Sequence, residues 1–331
     1  MGNYPRKKSE LIRGAATVLR RGNATITLRR GPLPRLSRAL RQRFAFPGSS
    51  VDAHRFSFSR ILRKIFLASI VVCIAASTSV AIAYEKITIT GSSTIAPLIA
   101  EIGKRYESIH PGVRVDVQAG GSSRGITDAR QGSAQIGMVS RKLKDEENDL
   151  QSYQIAQDGV CLIINSANPL KKLTNAQVIN IYKGVVNNWV QLGGRDGRIV
   201  VVNKAEGRST LELFLHYFKL NVEEIKADVI IGENQQGIKV VAGNPNAIGY
   251  VSIGSAEYES LHGAPIKLLP VNGKTPSTAS VANGEFPISR PLNLVTKKNP
   301  PTLVMEFINF ARSSNVYDIV TGQYFVPLAK K

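Results

Sequence analysis

Across residues 84–331 the apolar positions fall into two alternating rhythms. Every-second-residue alternation, or a short unbroken apolar run, predicts a strand, whereas spacings of three and four predict a helix. Strands are predicted over 86–90, 113–118, 136–139, 160–165, 199–203, 229–231, 248–253, 266–270 and 292–296. Helices are predicted over 96–109, 126–131, 174–183, 210–220 and 303–312. Leu98, Ile99, Ile102, Tyr106 and Ile109 share one face of the first helix, and His110-Pro111-Gly112 stops it. Thr174 caps the third helix and Gly184 closes it, while Leu211, Phe214, Leu215 and Phe218 face inward from the fourth. Strand following helix in this way predicts an α/β fold with mainly parallel sheets. No internal repeat stands out.

The first 83 residues follow neither rhythm. Residues 6–64 are rich in Arg, Pro, Gly and Ser, with too little clustered apolar surface to offset ordering entropy, and are expected to be disordered. A nucleic-acid arm or a transit peptide is the alternative use of such a segment. Arg60, Arg63 and Lys64 precede an uncharged, proline-free apolar run, 65–83, that ends in Ala81-Ile82-Ala83. That sequence of features describes a secretory signal peptide over 60–83, with Tyr84 as the mature N-terminus. The run is about as long as a minimal membrane span, so an uncleaved anchor is the competing reading. Cys73 follows Val72, where a lipoprotein needs a small residue. No methionine lies between Met1 and Met138. Residues 1–59 are therefore expected to be an over-extended reading of the gene, with initiation near Val51 or Leu62 from a non-ATG codon.

Composition narrows the class. The chain has 331 residues, 43% of them hydrophobic, with two cysteines and a formal net charge of +19. That is enough for about two domains with real cores, and excludes a disulfide-stapled mini-protein or a polytopic membrane protein. The charge is lopsided: residues 1–83 carry a net of +14 and residues 84–331 only +5. The basicity belongs to the leader and gives no reason to expect nucleic acid as a partner of the folded body. With Cys73 removed, Cys161 has no partner for an intramolecular disulfide. Its setting, Gly159-Val160-Cys161-Leu162-Ile163-Ile164, predicts a small core hydrophobe.

One chemical feature recurs three times. Gly91-Ser92-Ser93-Thr94, Gly120-Gly121-Ser122-Ser123-Arg124-Gly125 and Gly207-Arg208-Ser209-Thr210 each precede a predicted helix. At such a junction free N–H groups, the positive end of the helix dipole and small hydroxyls all point outward. Three termini meeting at one point would wrap a tetrahedral oxyanion. Lys204, Arg208, Arg124 and Arg141 are the cations near these loops, and an arginine would hold the anion in bidentate fashion. There is no P-loop signature. Gly121-Ser122-Ser123-Arg124-Gly125 also satisfies G-x-S-x-G, so a serine hydrolase using Ser122 is the rival from another class. Its base would have to be His216, placed near the buried face of its helix, or His262 in a turn. No metal-binding pattern is present among His110, His216 and His262.

The strings Thr90-Gly91-Ser92-Ser93-Thr94-Ile95-Ala96-Pro97, Gly121-Ser122-Ser123, Ile136-Gly137-Met138-Val139-Ser140-Arg141, Asp158-Gly159-Val160, Gly207-Arg208-Ser209-Thr210 and Pro287-Ile288-Ser289-Arg290-Pro291-Leu292 occur in an order and spacing that resembles the periplasmic phosphate-binding proteins of ABC importers. The likeness spans essentially all of 84–331 and places the chain in the two-lobed solute-binding superfamily. It implies two α/β lobes joined by two hinge strands, with crossings at 160–165 and 287–295. Lobe one would be 84–160 with 289–331, and lobe two 161–288. It implies a monomer without cofactor or catalysis, delivering inorganic phosphate in the periplasm to membrane permease subunits. Carried over residue by residue, it implies anion contacts from Ser93, Thr94, the Ile95 amide, Ser122, Ser123, Ser209 and Thr210. Two departures matter. Many relatives place an arginine and a G-S-G-T turn where this chain has Lys204-Ala205-Glu206-Gly207-Arg208-Ser209-Thr210, so Arg208, Lys204 or both would neutralise the anion. Some place an aspartate, acceptor for the proton of monohydrogen phosphate, where this chain has Ser140 followed by Arg141; Asp158 is the substitute candidate. Sulfate, molybdate or a related oxyanion is thus the alternative ligand, and a membrane-anchored sensor or adhesin the alternative use of the scaffold.

Overall fold

Ile87 and Ile89, two apart in β1 (Glu85–Gly91), are fully buried while Glu85 and Lys86 are exposed, so the alternation sets which face enters the core. The computed structural model describes residues 84–329. The extension 1–59 and the signal segment 60–83 lie outside the described residues. After β1 come α1 (Ala96–Ile109), β2 (Val113–Ala119), α2 (Ser122–Gln131) and β3 (Ile136–Val139). β2 and β3 flank β1, both parallel to it. α1 buries Leu98, Ile99, Ile102 and Tyr106 against this sheet, whereas Ile109, assigned to the same face from sequence, is exposed because the chain turns away at His110.

The chain then enters β4 (Leu150–Asn165), sixteen residues long, followed by α3 (Asn175–Tyr182), β5 (Val200–Lys204), α4 (Ser209–Phe218), β6 (Val229–Ile231), α5 (Asn234–Gly243), β7 (Ala247–Ser252), α6 (Ile253–Leu261), β8 (Ile266–Leu269) and α7 (Thr278–Ala282). It returns through β9 (Ser289–Lys297) and ends with α8 (Thr302–Ala311), α9 (Tyr317–Gly322) and β10 (Val326–Pro327). β5 pairs in parallel with β6 and β7. Every described pairing of β4 and β9 is antiparallel, so the predicted parallel pattern holds for β1–β3 and β5–β7 and the whole path, β2-β1-β3-β9-β4-β7-β5-β6, is mixed. The reason is directional. β4 carries the chain from one lobe into the other and β9 carries it back beside β4.

Two cores result. Ile87, Ile89, Leu98, Ile102, Ala156, Leu292, Leu294 and Phe307 form one; Val160–Ile164, Tyr182, Trp189, Phe214, Tyr250, Val251 and Ile288 belong to the other. β4 changes partner at a single step: Gly159 pairs with Ser289 of β9, and Val160 with Ser252 of β7. A Cβ at Gly159 would lie 2.6 Å from Ile253 Cδ1, so a larger residue at this step would have to displace the Ile253 side chain. Cys161, just beyond Gly159, is buried, and burial pushes its thiol well up, which keeps the thiolate form away.

Several boundaries differ from expectation for local reasons. The first ten residues of β4, Leu150–Gly159, carry Gln, Ser and Tyr where one side of the strand remains partly open, and a buried Asp158 that pairs with Arg290. β7 stops at Ser252 because its hydroxyl accepts from Ser255 N–H at 3.4 Å and starts α6. His216 of α4 is exposed, not on the buried face, and Leu215 is half-buried; Leu211, Phe214 and Phe218 are inward as predicted. Among the described residues, no helix is long and apolar enough to cross a membrane.

Candidate anion-binding site

Three glycines bring the loop after β1 into place. A Cβ on Gly91 would meet Met138 O at 2.4 Å, on Gly125 the same oxygen at 2.8 Å, and on Gly137 the Gly125 O at 2.3 Å. Backbones of β1, α2 and β3 therefore cross at a separation that no side chain allows. This packing sets Ser92–Thr94 beside Gly121 and Ser122, each loop at the carboxyl end of a parallel strand and the start of a helix. Ser209 and Thr210 after β5, and Gly232 after β6, face them from the other lobe. Together with Ser140, Lys204 and Arg208 they line a small void of about 10 Å³.

The helix starts are left open toward it. Neither α2 nor α4 has a side-chain cap, so no side chain occupies the N–H groups of Ser122, Ser209 and Thr210 at their starts, unlike α3, whose Thr174 hydroxyl accepts from Gln177 N–H at 3.2 Å. Ser92 donates to Ser140 Oγ at 2.9 Å and accepts from Thr94 N–H at 3.2 Å. Ser122 Oγ accepts from Ser140 N–H at 3.2 Å. Ser209 Oγ is buried and has no hydrogen-bond partner, a cost that a native fold rarely carries without a ligand to meet it.

Lys204 ends β5 and is 2% exposed. The Tyr250 hydroxyl accepts from its N–H at 3.3 Å, and its Nζ donates to Asn234 Oδ1 at 3.0 Å. Burial, with Arg290 and Arg208 nearby, pushes this lysine down to about 7 against the pull of Glu233. Arg208 threads between two glycines: a Cβ on Gly121 would lie 2.8 Å from Arg208 Cδ and one on Gly232 3.0 Å from Nη2. Its Nη1 donates to Glu233 at 3.0 Å.

Of the residues named from sequence, Ser93, Thr94, Ser122, Ser140, Lys204, Arg208, Ser209 and Thr210 line the void. The others do not. The Ile95 amide donates to Ser92 O at 3.2 Å, closing the turn. Ser123 is exposed, and its amide donates across the cleft to Gly207 O at 3.2 Å. Arg141 is turned away into a bidentate pair with Glu147 at 2.7 and 2.8 Å, and its Nε lies 3.0 Å from Glu212 on α4. Arg124 is spent on Asp128 and Gln118. Asp158 is buried behind the wall: Oδ1 accepts from Gly254 N–H at 3.2 Å and Oδ2 from Arg290 at 2.8 and 3.1 Å.

Arg290 and Asn234 escaped the sequence reading. From β9, Arg290 donates to Thr94 Oγ1 at 3.1 Å, Thr210 Oγ1 at 3.0 Å and Ser140 Oγ at 3.3 Å, so one guanidinium fastens hydroxyls from three loops. Its signal was available, an arginine within the Pro287–Leu292 string at the start of a strand whose middle is mostly apolar. Asn234 opens α5, a fourth helix start whose Gly232-Glu233-Asn234 lacks the Ser/Thr that marks the other three. Among the described residues that line the void there is no histidine, and His216 and His262, the bases named for the hydrolase reading, are exposed.

Gly121→Ala is expected to weaken anion affinity at least about tenfold, because φ +97 disfavours any Cβ and the methyl would press on Gly207 O at 2.7 Å across the cleft. Calorimetric titration beside a urea melt checks this. The affinity loss should exceed what any loss of unfolding free energy accounts for.

A model of the PBP superfamily domain matches residues 76–315. Curated relatives include the phosphate-binding protein PstS of Bacillus subtilis, 29% identical over 73% of this chain and 80% of its own. PstS of Borreliella burgdorferi is 30% identical over 73% of this chain and 90% of its own. A Clostridium perfringens crystal structure, assigned as a phosphate ABC transporter substrate-binding protein with bound phosphate, is 32% identical with a TM-score of 0.69, covering 74% of this chain and 100% of that one. With this family match and these relatives, the chain belongs to the PBP superfamily in the company of the PstS phosphate-binding proteins.

Proposed function

We propose that this chain is an extracytoplasmic solute-binding protein that captures inorganic phosphate between its lobes and hands it to the permease subunits of an ABC importer. The observation that carries the reading is the void itself: four helix starts, Lys204 and Arg208 converge on it, and the buried Ser209 hydroxyl has no partner within the protein. Lobe one is 84–160 with 289–331 and lobe two 161–288, hinged at Gly159 and Ser289. Their closure around the anion makes the surface that the permease reads. The protein works as a monomer in the periplasm after cleavage behind Ala83, and performs no chemistry on its ligand. Neutral dipoles and two cations suffice to replace the anion's water without a reaction.

Calorimetry on protein stripped of bound ligand tests the reading. Phosphate should titrate one site per chain, and phosphate at about a hundred times Kd should add about 2.7 kcal/mol to the unfolding free energy. A flat titration with no shift in melting would remove phosphate as the ligand.

A further inference from the structure

Thr94 is held from behind on both of its lone pairs. Arg290 Nη2 and Asn234 Nδ2 each donate to Thr94 Oγ1 at 3.1 Å. The direction at Asn234 follows from its other end: Oδ1 accepts from Lys204 Nζ at 3.0 Å, an ammonium that in its protonated form, the form an anion favours, has only protons to offer, so the NH₂ group faces Thr94 and, at 3.5 Å, Ser255. A hydroxyl has two lone pairs and one proton. With both lone pairs filled, the proton is all that Thr94 can present to the void it lines.

No carboxylate shares that wall among the described residues. Glu233 is paired with Arg208, and Asp158 with Arg290 and Gly254 N–H. The remaining hydroxyls rotate to donate when an oxyanion arrives. Only an acceptor-only group would leave two acceptors facing each other and so reject an anion without a proton.

We propose that Asn234 is a specificity-determining positioning residue: with Arg290 it makes Thr94 an obligate donor, so the site takes tetrahedral oxyanions whose facing oxygen is unprotonated, sulfate as well as phosphate. The inference rests on the phosphate reading above and widens its ligand class.

Competition calorimetry with sodium phosphate and sodium sulfate on ligand-stripped protein tests it. In the wild-type protein sulfate displaces phosphate, with affinities within about a hundredfold of each other. In Asn234→Asp, nearly isosteric, the carboxylate accepts the Thr94 proton and turns a lone pair toward the void. The preference for phosphate over sulfate then rises at least about tenfold, because only phosphate brings a proton. Asn234→Ala, which merely removes one donor to Thr94, moves the ratio the same way by less. Equal weakening of both anions in Asn234→Asp overturns the proposal and leaves phosphate capture intact, as does a wild-type protein that binds phosphate and ignores sulfate. A wild-type protein that binds neither overturns both.

Discussion

Replacing Arg290 with methionine is expected to abolish measurable phosphate binding and to cost the fold about 3–5 kcal/mol. The two effects share one cause. Arg290 and Asp158 are 0% and 1% exposed at their side chains and are bonded through Nε and Nη2 to one carboxylate oxygen. Removing the guanidinium leaves Asp158 as an uncompensated buried charge with a single N–H donor, from Gly254, for support. On the opposite side of the guanidinium, Thr94, Thr210 and Ser140 lose the donor that fixes them, so hydroxyls from both lobes regain rotational freedom at the anion. The two effects are separable. Adding Asp158→Asn to Arg290→Met removes the stranded charge while keeping an oxygen for the Gly254 N–H, so urea unfolding should recover most of the loss. Calorimetry should still find no phosphate binding in the double variant. A single Arg290→Met variant that binds phosphate within about tenfold of wild type would show that the guanidinium only holds the fold.

Most of the scaffold was legible because it depends on local pattern. α1 begins and ends where the apolar spacing and His110-Pro111-Gly112 put it, and β3 and β6 match their apolar runs residue for residue. The loops around the void were legible for a related reason. Glycine next to Ser/Thr before a helix is a local signature of an open N-terminus, and Ser93, Thr94, Ser122, Ser209 and Thr210 all follow it. What the sequence concealed is the second layer, which depends on pairing at long range. Asp158 and Arg290 are 132 positions apart and meet only because β4 and β9 cross side by side. Arg141 looked like an anion ligand next to Ser140, yet Glu147, six residues later, and Glu212 on α4 claim it. Lys204 and Arg208 line the void while Arg141 and Arg124 turn to carboxylates, so which cation faces inward depends on where the carboxylates fall. Asn234 had no local mark at all, since its role comes from what it touches at each end of its amide.

Phosphate binding above neutral pH is expected to draw a proton from solution, and Lys204 is the group that takes it. In the ligand-free protein burial foremost, then Arg290 and Arg208, push Lys204 down to about 7, with Glu233 opposing. An anion in the void reverses the balance by favouring the charged form, so its pKa rises on binding. The uptake due to Lys204, read as wild type minus Lys204→Met because phosphate titrates in the same range, should then be near zero at about pH 6, where Lys204 is already charged, and approach one per anion at about pH 8–9. Affinity should fall toward tenfold per pH unit above about 7 until the bound-state value is reached. The same displacement acts on folding with a definite sign. Between about 7 and 10.5 the unfolded chain holds a proton that the folded chain lacks, so the contribution of Lys204 to stability rises with pH across that window and is a penalty below it. Lys204→Met should therefore stabilise the ligand-free protein most at about pH 6, weaken phosphate binding at about pH 7 by at least tenfold, and remove this share of the proton uptake altogether. Titrations in buffers of different ionisation enthalpy read the uptake directly. Uptake that persists unchanged in Lys204→Met would assign the proton to another group and leave the lysine a fixed charge, already protonated before the anion arrives.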